Sequence, residues 1–351
     1  MTTGGDLPTE FHYTARGQLA LRAGQLNAAI DDFNNALQIN DEFAPAYYYR
    51  GLAFRNGGDL NRAIADYTRA IVADPQYPVP YYARGVVRRH LGFYEDAIAD
   101  YTSAIDLEPD DADYYYARGV ARISLGRYDE AIADFLGCIR INPEHANAQY
   151  NLGIAYRDTG DRDTALAYYN TAIGIRPAEP DYRYARGNLY SDRREYDAAI
   201  ADYDAAIAIV PTFANALYNR GIAKRNRGEP QDAIADFDAA QSCGMDTATL
   251  YHNRGVAKAD LGEHEAAMAE YEQALQRDAT LAGIWLSVGN SHALLENYQE
   301  AVAAFTRALE LNDNLADAYG SRGLANRALG DEQAAAADLE EFARRSGGSA
   351  P

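Results

Sequence analysis

The chain has 351 residues, 52 of them acidic and 32 basic, for a formal net charge of −20. That charge argues against nucleic acid as a main partner, since phosphate backbones are held by basic surfaces. No apolar run approaches the roughly 20 residues that cross a bilayer, and two lone cysteines, Cys138 and Cys243, make neither a disulfide framework nor a zinc site.

Met1 to Glu10 contains neither the basic nor the apolar stretch of a secretory leader, and with two lone thiols this favours a reducing, cytoplasmic setting. Residues 1–9 are expected to form a short tail. From residue 10 the sequence repeats. Glycine falls at Gly17, Gly51, Gly85, Gly119, Gly153, Gly187, Gly221, Gly255, Gly289 and Gly323, in steps of 34 with no insertion or deletion. The units begin at residues 10, 44, 78, 112, 146, 180, 214, 248, 282 and 316, and the array runs to residue 349.

Each unit reads as helix A, a short turn often carrying glycine (Gly58, Gly92, Gly126, Gly160), then helix B. Twelve residues after the unit glycine stands an alanine, from Ala29 to Ala335, and four further a large side chain, from Phe33 to Leu339. Small residues at two places let the helices approach closely. Pro75, Pro109, Pro143, Pro177 and Pro211 mark where five of the second helices stop. Carboxylates open helix B in Tyr94-Glu95-Asp96 and Tyr128-Asp129-Glu130, where the helix dipole favours them.

A 34-residue period with this glycine, alanine, aromatic, alanine and proline order resembles the tetratricopeptide repeat family, over nearly the whole chain. The resemblance implies an all-α, right-handed superhelical solenoid of ten antiparallel hairpins, with helix A lining the concave side. It also implies a binding scaffold without cofactors.

The residue before the unit glycine is arginine in eight units: Arg16, Arg50, Arg84, Arg118, Arg186, Arg220, Arg254 and Arg322. Sixteen residues later stands an acid: Asp32, Asp66, Asp100, Asp134, Asp202, Asp236, Glu270 and Asp338. Both partners change together in the two exceptions, Leu152 with Tyr168 and Val288 with Ala304. Pairing between neighbouring units would strand Asp134 opposite Leu152, so structural ion pairs within each hairpin are expected.

Another side of helix A carries Tyr48, Tyr82, Tyr116, Tyr150, Tyr184 and Tyr218, six units running, continued by His252, Leu286 and Gly320. Seven residues after four of these tyrosines lie Arg55, Arg89, Arg157 and Arg225, with Asn56, His90 and Asn226 adjacent. Phenol rings cover apolar segments and arginines grip carboxylates. The expected partner is therefore a protein or peptide segment with acidic residues, bound in the groove. Packing of the hairpin is the competing explanation of the tyrosines. A chaperone-tail clamp is not expected: Asn188 and Asn219 fit its pattern, but Tyr184, Thr249 and Asn253 replace its basic residues.

The ninth unit is unusually apolar, with Ile284-Trp285-Leu286 and Leu294-Leu295; core packing of Trp285 is favoured over a second docking point. In the last unit Phe342 replaces the alanine or cysteine of the others. None of the six histidines forms a metal-spaced pair, no glycine loop suits phosphate, and the run Glu108 to Asp113 reads as turn and helix cap. No nucleophile has a base at a usable spacing. A non-catalytic adaptor is the leading expectation, and a structural subunit that self-associates through its ends or convex face is the alternative.

Overall fold

In the computed structural model, which describes residues 9–347, twenty helices follow one another with no strand among the described residues. They pair into ten hairpins. The first is Glu10–Arg22 with Leu26–Ile39, the third Pro78–His90 with Tyr94–Leu107, the fourth Ala112–Ser124 with Tyr128–Ile141, and the fifth Ala146–Asp158 with Arg162–Ile175. The ninth is Ala282–Leu294 with Tyr298–Leu311 and the tenth Ala316–Ala328 with Glu332–Arg345. Of the expected tail, residues 1–8 lie outside the described residues, as do 348 and 349 at the far end of the expected array. Internal contacts divide the chain into two compact units, Met1–Pro177 with hairpins one to five and Ala178–Pro351 with hairpins six to ten.

Local chemistry fixes the helix ends. Thr9, Asp111 and Thr247 each accept a backbone N–H at the start of a helix A, and Asp59, Asp161 and Asp331 do the same for helix B. The acidic run therefore contributes a cap, through Asp111 accepting from the Asp113 N–H at 2.8 Å. Helix B ends at Ala73, Leu107, Ile141, Ile175 and Ile209, each two residues before a proline. The turn between the helices needs one residue with positive φ, which is glycine in eight hairpins and Arg194 (φ 60°) or Glu296 (φ 59°) in the other two.

The core of each hairpin is a large ring held between small residues. Ala29 through Ala335 at that position are all fully buried, as are Phe33, Tyr67, Tyr101, Phe135, Tyr169, Phe237 and Phe305. A Cβ on Gly119 would stand 2.6 Å from the Phe135 ring, so glycine there is a requirement of close approach. Truncating such a ring to alanine removes about 3–5 kcal/mol.

Candidate peptide-binding face

The arginine of each pair lies across its own hairpin. Arg118 Nε stands 3.1 Å from both Asp134 oxygens and Nη2 2.7 Å from Oδ1, a two-pronged contact in which the carboxylate is buried. Arg16, Arg50, Arg84, Arg186, Arg220 and Arg322 meet Asp32, Asp66, Asp100, Asp202, Asp236 and Asp338 in the same way, while Arg254 donates from two nitrogens to one oxygen of Glu270.

The structure adds two partners that sequence reasoning missed. The remaining guanidinium nitrogen reaches helix B of the hairpin before: Arg50 Nη1 donates to Asn34 at 2.6 Å, Arg84 to Thr68 and Arg118 to Thr102 at 3.0 Å, and Arg322 to Thr306 at 3.1 Å. Arg220 meets Asp204 and Arg254 meets Asp238 likewise. The acid in turn takes a second donor from helix A: Arg88 on Asp100, Arg122 on Asp134, Lys224 on Asp236, Lys258 on Glu270 and Asn326 on Asp338. A signal was present, since Leu136 occupies the acceptor place just before the hairpin whose arginine is Leu152. In that fifth hairpin Tyr156 and Tyr168 stand where the second donor and the acid would be, stacked at 5.5 Å and 5°.

The tyrosines of helix A are half-buried, and each leans on the core ring of its own hairpin. Centroid separations are 6.0 Å for Tyr48 to Tyr67, 5.8 Å for Tyr82 to Tyr101 and 6.0 Å for Tyr116 to Phe135. They are 5.9 Å for Tyr150 to Tyr169, 6.1 Å for Tyr184 to Tyr203 and 5.7 Å for Tyr218 to Phe237. His252 takes the same place over Tyr271 at 5.9 Å. A second ring often closes the other side, as Tyr77 does for Tyr48 at 5.8 Å, His145 for Tyr116 at 4.7 Å and Phe213 for Tyr184 at 5.0 Å. Burial raises the Tyr48, Tyr82 and Tyr116 phenols above their ordinary pKa. The row thus serves packing, each ring against the core of its own hairpin and those of Tyr48, Tyr82, Tyr116 and Tyr184 against a second ring as well.

Asparagines one hairpin onward bond the hydroxyls: Asn151 donates to Tyr116 at 3.5 Å, Asn219 to Tyr184 at 3.1 Å and Asn253 to Tyr218 at 2.8 Å. This ladder follows a 35-residue interval, which lies one off the repeat and is easily overlooked.

The four arginines that follow these tyrosines differ in their surroundings. Arg157 Nε lies 2.7 Å from its neighbour Asp158, and Arg225 donates to Asn253 at 3.2 Å and Asn226 at 3.3 Å, with Asp260 at 3.9 Å. Arg55 and Arg89 are half-buried and form no ion pair among the described residues. Both border one pocket of about 300 Å³ with Leu60, Val86, Val87 and His90, while Asn56 is exposed nearby. In the ninth hairpin, Trp285 packs against the core and donates from its indole N–H to the Ala279 carbonyl at 3.0 Å, while Leu294 is exposed. Phe342 of the last hairpin lies over Gly320.

Models described as tetratricopeptide repeats match residues 14–78, 82–143, 122–189, 248–281 and 282–315, and one described as a TPR repeat matches 187–228. The chain belongs to the tetratricopeptide repeat family. Members of that family are generally non-catalytic scaffolds for protein–protein interaction. Among solved structures, the chain is similar to the APC/C hetero-tetramer Cut9-Hcn1, at 16% identity and TM-score 0.55 over 96% of this chain and 73% of that one. It is similar to a tetratricopeptide repeat protein from Parabacteroides merdae ATCC 43184, at 22% identity and TM-score 0.53 over 71% of this chain and 98% of that one. A third, YrrB, described as a TPR protein with an unusual peptide-binding site, has 24% identity and TM-score 0.48 over 54% and 97%. At these identities the first two likenesses show the all-α helical solenoid fold alone. Comparison with curated protein sequences finds no match. Among the described residues no helix is long and apolar enough to cross a membrane.

Proposed function

We propose that this tetratricopeptide repeat protein is a non-catalytic adaptor of the cytoplasm, and that it holds a segment of a partner protein against the tyrosine-bearing side of its A helices. The observation that carries this reading is the repetition of half-exposed tyrosines at Tyr48, Tyr82, Tyr116, Tyr150, Tyr184 and Tyr218. Each is pinned by a core ring, so little side-chain freedom is lost when its remaining exposed surface is covered. Tyrosine offers apolar area together with a hydroxyl able to bond peptide backbone. Asparagines at 151, 219 and 253 fix three of those hydroxyls in place.

The test is affinity capture from the source lysate with wild type beside a Tyr82→Ala, Arg89→Glu, Tyr116→Ala variant, after circular dichroism has established that both are folded. A protein retained by wild type and lost by the variant supports the reading. Capture of the same set by both overturns it. If only further copies of the chain are recovered, self-association is the function instead.

A further inference from the structure

Within the side proposed to hold a partner, charge is distributed unevenly. The chain carries 52 acidic side chains, and Arg157 and Arg225 have found carboxylates among them. Arg55 and Arg89 have not. Arg89 Nε is buried and has no hydrogen-bond partner, and the guanidinium's polar neighbour is the neutral Tyr101 phenol, which supplies no counter-charge. Both guanidinium groups line the same pocket, and both lie near enough to the Tyr82 phenol to offset part of the rise that burial causes in its pKa. A half-buried arginine without a counter-charge is unfavourable, and in so acidic a chain the vacancy is conspicuous. Apart from His90, the rest of the pocket lining is aliphatic: Leu60, Val86 and Val87.

We propose that Arg55 and Arg89 form a seat for an acidic side chain of the partner, a glutamate or aspartate next to an aliphatic residue, between hairpins two and three. This rests on the reading of the tyrosine face given above and places its anchoring point. Two planar forks match a carboxylate. The methylene stem of a glutamate and its aliphatic neighbour cover Leu60 and Val86, which a phosphate, hydrated on all sides, would leave exposed. His90 supplies a further polar group at the rim.

The experiment is selection of random octapeptides displayed on phage against the full chain, followed by fluorescence anisotropy of the enriched peptides. Enrichment of Asp or Glu beside Leu, Ile or Val is expected. The Arg55→Gln, Arg89→Gln double variant then weakens binding by about tenfold or more. Replacing the peptide's acid with its amide does the same, and the two losses do not add. Exposed Arg140→Gln leaves affinity unchanged. Peptides that lose binding with Tyr82→Ala but keep it in the arginine double variant overturn the seat and leave the tyrosine face standing. Preference for phosphoserine over glutamate also overturns it. Enrichment of no peptide, or binding indifferent to every one of these variants, overturns both.

Discussion

At His252 the row of tyrosines changes chemistry without changing place. The imidazole lies over Tyr271 and meets Ser287 Oγ at 2.9 Å. Burial, with Arg225 adding to it, brings its pKa down from 6.5 to about 4. The ring is neutral in the fold, whereas an unfolded chain binds a proton there below 6.5. Its contribution is full above that value and is lost as pH falls through the window down to about 4. His252→Tyr, which restores the residue of the six preceding units, is expected to flatten the fall of Tm between those two pH values. Identical pH profiles for wild type and variant would show that other groups set the acid limit. This residue was visible in the sequence as a break in a pattern, but its neutrality was not, because burial depends on neighbours three dozen residues away.

The hairpin is the element at which sequence and structure agree most closely, and also where the reading stopped short. Spacing alone revealed the helices, the close-packed glycine and the arginine–acid interval, since each depends on contacts within one 34-residue unit. Contacts between units were hidden, and so was one within the unit. The third nitrogen of the arginine on the previous helix B, and the second donor on the acid, recur with mixed residue types (Asn, Thr or Asp; Arg, Lys or Asn) that no single-letter pattern displays. Such contacts sharpen an expectation about mutants. Arg118→Leu leaves the buried Asp134 with Arg122 alone, and a loss of about 3–5 kcal/mol is expected. Adding Asp134→Tyr is insufficient, because Arg122 then has lost its buried acid. The triple variant Arg118→Leu, Arg122→Tyr, Asp134→Tyr copies Leu152, Tyr156 and Tyr168 of the fifth hairpin and is expected to recover most of the loss in urea denaturation. A triple variant no more stable than Arg118→Leu alone would mean that the coupled exceptions arise from something other than these contacts.

Over the whole molecule, the buried arginine–acid contacts leave many acidic groups on the surface and a net charge of −20. Repulsion among them opposes folding at low ionic strength, whereas the buried pairs are poorly screened. Raising NaCl from about 0.02 M to about 0.5 M, through a Debye length of roughly 20 Å down to about 4 Å, is therefore expected to raise Tm. A fall in Tm would show that exposed ion pairs outweigh the repulsion. The acidity also explains why the candidate site was only partly legible. Spacing puts four arginines seven residues after a tyrosine, but which of the four keep their charge uncompensated depends on Asp158 and Asp260, and those acids are indistinguishable from the rest in the sequence.

The arginine that spans from one helix B to the next has a consequence for how such a chain grows. Each copied hairpin arrives with its own cation, its own acid and the hydroxyl or amide that the following cation will use. A tandem duplication of a standard unit therefore joins its neighbours without further change. The fifth hairpin lacks that interchangeability, for Leu152 is matched to Leu136 in the unit before it. Genealogy of the array is thus constrained by electrostatics: standard units are free to multiply, and the fifth is tied to its place in line.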